Sequence, residues 1–180
     1  IVSVLRDEGI DIVATDLKIT LGPTLAVDVI QEIALDRLRE MSVDPDSAAI
    51  VILAHGDRNF EPVWISLARQ VGSSLCANTG IEYFNYGFIG MGQGFRSEGV
   101  PAIYRALDDH KQVIVLGLYM VSSMEGIARR SFAGTPHGAA TFDTMFADTE
   151  VKFASRGLLP DSRIVGWIVT TAAEWTETVK

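Results

Sequence analysis

The sequence predicts an α/β fold, a parallel sheet flanked by helices on both faces. Three observations carry this. Residues 48–54 (Ala-Ala-Ile-Val-Ile-Leu-Ala) are seven in a row with no polar side chain, as expected of a strand covered on both faces. The run stops abruptly at His55-Gly56. Strand-like and helix-like segments alternate along the remaining chain, the pattern of parallel strands joined by right-handed crossovers.

Taken in order, residues 10–14 read as a short apolar strand. Gly22-Pro23 opens a long helix to about residue 41, because Val27, Ile30, Ala34, Leu38 and Met41 recur at three- and four-residue steps. Residues 42–47, with Pro45, form a linker. After the strand at 48–54, a helix from about 61 to 77 carries Trp64, Leu67, Ala68, Val71 and Leu75. Residues 81–88 give a second strand with aromatics on both faces, and a glycine-rich loop at 87–94 leads to a helix at about 98–109. The third strand is expected at 112–118, a helix at 141–156, the fourth strand at 163–169 and a last helix from about 172.

Segments 1–41 and 150–180 share a helix–strand–helix pattern. One division therefore makes 1–44 the closing strand and helix of a preceding repeat and 45–180 a complete α/β domain. A single five-stranded domain, with 1–44 as its first unit, accounts for the pattern equally well. The chain opens with Ile1 rather than Met, so it is expected to be processed or a segment of something longer.

Composition narrows the function. The chain is 48% hydrophobic and 21% charged, enough apolar material for a core. No apolar run approaches the ~20 residues a membrane helix needs, and no basic-then-apolar leader is present, so a cytoplasmic protein with no membrane partner is expected. A net charge of −8 argues against non-specific nucleic-acid binding. The lone Cys76 excludes an internal disulfide and a multi-cysteine metal cluster.

The carboxyl edge of an open parallel sheet is where ligands bind, and His55 is delivered there. Gly56 lets the backbone turn and leaves room beside the imidazole. Asp57 either orients His55 or caps the next helix. The glycine cluster, with Gly90, Gly92 and Gly94, lacks the Lys-Ser/Thr ending of a nucleotide-binding P-loop. It admits a bulky ligand or is a loop without a chemical role. His110 closes a helix, where the dipole favours a histidine. His137 lies in a loop and is a second-choice ligand. Met120 and Met124 read first as core.

Val51-Ile-Leu-Ala-His55-Gly56-Asp57-Arg58 and Val113-Ile-Val-Leu-Gly-Leu-Tyr-Met-Val-Ser-Ser-Met-Glu125 resemble the class II tetrapyrrole metal chelatases, the sirohydrochlorin cobalto- and ferrochelatases and protoporphyrin ferrochelatase. The resemblance covers about residues 48–130, and 10–41 resembles the end of a preceding chelatase-like repeat. It implies ATP-independent insertion of Co²⁺ or Fe²⁺, as substrate, into a tetrapyrrole, with no tightly bound cofactor. His55 and Glu125 are the implied metal ligands and proton acceptors. The small chelatases place a second histidine after the third strand; here none lies between His110 and His137, and Glu125 takes the place of the glutamate used by the haem-forming branch. Arg58, Arg96, Arg129 and Arg130 suit a polycarboxylate substrate, with Gly90, Gly92 and Gly94 giving the macrocycle room. A homodimer or an upstream repeat would complete the paired architecture.

Two other functions compete. One is a chelatase-fold protein that holds a tetrapyrrole or metal without turnover, favoured by the missing second histidine. The other is phosphotransfer through a strand-end histidine, which wants an arginine before the His-Gly pair where this chain has Ala54.

Overall fold

The computed structural model describes residues 26–55, 61–89, 98–120, 122–128 and 145–178. The strand expected at 10–14 lies outside them. In chain order the elements are α1 (Val27–Arg39), β1 (Ala48–His55), α2 (Glu61–Thr79), β2 (Tyr83–Ile89), α3 (Val100–Leu107), β3 (Gln112–Gly117), α4 (Met124–Ala128), β4 (Glu150–Phe153) and α5 (Ser162–Thr178). The strands make one parallel sheet in the order β2-β1-β3-β4. The strand at 48–54 is thus internal, paired with β2 on one side and β3 on the other.

Alternation along β1 divides the core. Ile50, Ile52 and Ala54 pack with Ile33 and Leu38 of α1, Leu67, Val71 and Leu75 of α2, and Ile164 and Ile168 of α5. Ala49, Val51 and Leu53 face the opposite layer, with Ile103 and Ala106 of α3 and Met124 of α4. Helices therefore cover both faces, and β1 is buried along seven of its eight residues.

The carboxyl-terminal part differs from expectation. Residues 163–169 are not the fourth strand; they lie inside α5. Among its described side chains Ile164, Ile168 and Ala172 are buried, at the four-residue spacing of a helix and not the two-residue spacing of a strand. Asp161 starts the helix: its Oδ1 accepts the Arg163 backbone N–H at 3.1 Å, the geometry of an N-cap. The fourth strand is β4, inside the segment expected to be helical at 141–156. Its Glu-Val-Lys-Phe alternation turns Val151 and Phe153 to the α3–α4 layer. Lys152 instead donates through Nζ to the Ser42 carbonyl at 3.1 Å, tying the sheet to the chain just beyond α1.

Ion pairs hold α1 to α5. The Arg163 guanidinium binds both Asp161 oxygens at 2.9 Å and reaches Asp36 at 2.8 Å. Arg37, buried in the helix interface, reaches Asp161 at 3.5 Å and Glu40 at 3.3 Å. The hydrogen bonds from Arg163 hold the Asp161 carboxyl at about 2, against an ordinary 3.8, with partial burial opposing them.

Two predictions follow from this packing. Because its folded pKa is lowered, Asp161 stabilises the protein above its ordinary pKa, and that stability is lost as pH falls from about 4 toward 2. Asp161→Asn is expected to cost about 2 kcal/mol at neutral pH. In urea titrations the gap between variant and wild type closes over that acid range. Separately, a Cβ on Gly72 of α2 would collide with the ring of Phe84 on β2. Gly72→Ala gains roughly 1 kcal/mol of helix propensity but overpacks the helix–sheet contact by about 1–3 kcal/mol. A net loss of stability is expected, relieved when Phe84→Leu is added.

Candidate functional site

His55 is the last residue of β1, and it is exposed although the seven before it are buried. It stands level with Ile89, the last residue of β2. From the end of β1 the chain runs through α2 to β2 on one side, whereas from β3 it runs through α4 to β4 on the other. The connections diverge between β1 and β3, leaving the crevice in which doubly wound sheets bind ligands.

The segment after β3 lies beside the end of β1 and is held from both sides. The Leu118 N–H donates to the Leu53 carbonyl at 2.9 Å, extending the ladder past β3. The Tyr119 hydroxyl then donates to the Ala54 carbonyl at 3.0 Å, one residue before His55. Burial pushes the Tyr119 phenol far above its ordinary range, so it stays protonated and remains a donor. From the β4 side, Leu158 and Leu159 donate their N–H groups to the carbonyls of Tyr119 and Met120, at 2.8 and 2.7 Å. Gly157 permits this approach, since a Cβ there would lie 2.9 Å from the Ser122 carbonyl oxygen.

Glu125 is half-buried in the first turn of α4, where the helix dipole favours a carboxylate. Its backbone N–H donates to the Ala154 carbonyl at 3.1 Å, just past β4. Glu125 and His55 therefore share the carboxyl edge but are offset by two strand spacings, roughly 10 Å between their backbones. Half-buried Trp64 at the start of α2, Phe88 near the end of β2 and Met120 pack onto the core at this same edge.

The other candidates divide clearly. Met124 is fully buried and belongs to the core. His110 lies at the opposite edge, beside the start of β3. Its Nδ1 is 3.1 Å from the carbonyl oxygen of Ala106, in the last turn of α3, and its ring centroid is 4.7 Å from that of Tyr83. Asp57, Arg58, Gly90, Gly92, Gly94, Arg96, Arg129, Arg130 and His137 lie outside the described residues. Among the described residues there is no group of three or more His, Cys, Asp or Glu side chains that could hold a metal ion, and no helix is long and apolar enough to cross a membrane.

Two residues at this edge carry no motif. One is Tyr119, whose signal in the sequence is only an aromatic hydroxyl just past an apolar strand. The other is Glu98, whose Oε2 accepts the Phe88 N–H at 3.2 Å and so caps an amide of the edge strand β2. No protein-family model matches the chain, and no curated protein matches it either.

The geometry separates the two described histidines. His110→Ala should cost about 1 kcal/mol through loss of the Ala106 hydrogen bond and leave Co²⁺ binding unchanged. Calorimetric titration with Co²⁺ and thermal unfolding of the variant check both halves.

Proposed function

We propose that this chain is a chelatase-like enzyme that inserts a divalent metal ion, Co²⁺ or Fe²⁺, into a tetrapyrrole such as sirohydrochlorin, without ATP and in the cytoplasm. The observation that carries this reading is the exposed His55 at the end of the doubly buried β1, beside the point where the connections diverge. The sequence resemblance around His55-Gly56 supplies the reaction.

Insertion exchanges two pyrrole N–H protons for one M²⁺ while the metal sheds water. A neutral imidazole is suited to both halves, because it ligates Fe²⁺ or Co²⁺ and also accepts a proton. His55 is the proposed ligand and first base. Glu125, at the same edge, is the proposed second proton acceptor or ligand. The flat apolar surfaces of Trp64 and Phe88 suit the face of a macrocycle. Arg58, Arg129 and Arg130, with Gly90, Gly92 and Gly94, are proposed to take its carboxylate arms and its bulk.

A second reading is a tetrapyrrole- or metal-binding protein without turnover. It is favoured by the absence of any histidine between His110 and His137.

Anaerobic mixing of Co²⁺ with sirohydrochlorin, followed by absorbance, separates the two. Under the enzyme reading the wild type accelerates insertion. His55→Ala loses ten- to a hundred-fold in Co²⁺ affinity and all insertion above background, and Glu125→Gln slows insertion by a similar factor. Wild-type binding without acceleration selects the second reading. Equal binding by wild type and His55→Ala overturns both.

A further inference from the structure

We infer that Tyr119 is a positioning residue, whose hydroxyl on the Ala54 carbonyl fixes the angle at which β1 presents His55 to the crevice. The inference rests on the proposed role of His55 and adds to it the device that aims the imidazole.

The ladder brings the two residues close. Leu53 pairs with Gly117, the last residue of β3, and the Leu118 N–H still reaches the Leu53 carbonyl, so Tyr119 follows β3 beside the end of β1. The Tyr119 ring has little freedom. A Cβ on Gly117 would lie 2.8 Å from Cδ2 of Tyr119 and 2.7 Å from Cγ of Met124, so both side chains close over the same glycine. Met124 immediately precedes Glu125, which links the tyrosine to the second candidate residue. The Tyr119 carbonyl is held in turn by the Leu158 N–H. Ring, main chain and hydroxyl are each fixed by a different element.

A phenylalanine would fill this space without burying a polar group, so packing alone does not account for the hydroxyl. What the hydroxyl adds is a bond to the last buried residue of β1. Beyond Ala54 the imidazole is exposed, and the Ala54 carbonyl is the last point at which the segment after β3 grips β1. Loosening that grip leaves the end of β1 held from the β2 side alone, through the pairing of His55 with Ile89, and the imidazole then samples more directions. Small errors of aim cost rate far more than they cost binding.

Tyr119→Phe and Tyr119→Met test this in the full chain. The two together ensure that a folding defect peculiar to one replacement does not decide the outcome. Long-range ¹H–¹⁵N spectra of the imidazoles are recorded across pH, with His55 assigned by its loss in His55→Ala and His110 as internal control. The expected result is a shifted or broadened His55 signal, while His110 is unmoved. The kcat for Co²⁺ insertion should fall about tenfold with little change in KM. A His55 signal identical to wild type in a folded variant overturns the inference. The spectra need no turnover, so the two readings fail separately. Protein that inserts no metal but whose His55 responds to Tyr119→Phe refutes the proposed reaction and keeps the tie. Protein that inserts metal with an indifferent His55 does the reverse.

Discussion

Burying seven consecutive residues of β1 removes every side of that strand from water at once, and most of the architecture follows from meeting this demand. Both faces need helices and both edges need strands, so β1 must be internal. Right-handed crossovers then require α2, which leads to β2 on one side, and α3, which leads back across β1 to β3, to lie on opposite faces. The two halves of the core have this composition, with α2 packed on the Ile50–Ile52 face and α3 on the Val51–Leu53 face. The reversal in winding direction falls between β1 and β3. The crevice beside His55 is thus a consequence of how β1 is covered, and the histidine is the first residue at which polar chemistry becomes tolerable.

How much of this the sequence displayed depends on whether the deciding contact was local. β1, β3, α2 and α3 were legible because an unbroken apolar run or a three- and four-residue stripe is written in adjacent residues. β4 and α5 were misread because local signals competed. Residues 163–169 are rich in apolar and β-branched types that suit a strand, while the helix is set by the Asp161 cap and by Ile164, Ile168 and Ala172 meeting the α1 layer. Glu150–Phe153 alternates as an edge strand should, yet at four residues it is too short to outweigh the helical pattern around it. His55 was legible from its place after β1. The Tyr119 tie was not, because it joins a side chain to a main-chain carbonyl 65 residues earlier, and a carbonyl has no letter in the sequence. Arg37 escaped for a related reason: an arginine on an amphipathic helix reads as solvated until Asp161 is known to face it.

The placement of α1 bears on how the first described segment relates to the rest. Its Ile33 and Leu38 lie in the same cluster as Ile50 of β1 and Leu116 of β3, so removing the helix would uncover the middle of the sheet. Apolar contact supplies the attraction, and the Arg37–Asp161 and Arg163–Asp36 pairs supply the register between α1 and α5. Replacing such a pair by well-packed apolar groups would change net stability little, since each charge loses hydration on burial, although removing one partner alone is costly. Their value lies in direction: Arg163, held in one orientation by both oxygens of Asp161 at the start of α5, reaches Asp36 of α1, and Arg37 of α1 reaches back to Asp161. The seating of α1 determines where the chain after it meets Lys152, and through it the position of β4 and of the loop that holds Tyr119 from its far side.

Under the proposed function, the same rigidity sets what a metal-handling site at His55 could do. An ion enclosed by three or four protein ligands is retained, whereas an ion that is substrate must be taken up and released in every cycle. An exposed imidazole on a stiff edge meets that requirement: it offers one strong donor and leaves the other coordination positions to water and to the incoming macrocycle nitrogens. Its weakness as a trap is then useful, because tight ground-state binding of the metal would raise the barrier to passing it on. Weak binding, however, leaves orientation as the main thing the protein can contribute. The residues that aim His55 therefore matter as much as the imidazole, which is why a hydroxyl buried against a backbone carbonyl, with no chemistry of its own, belongs to the functional reading of this fold.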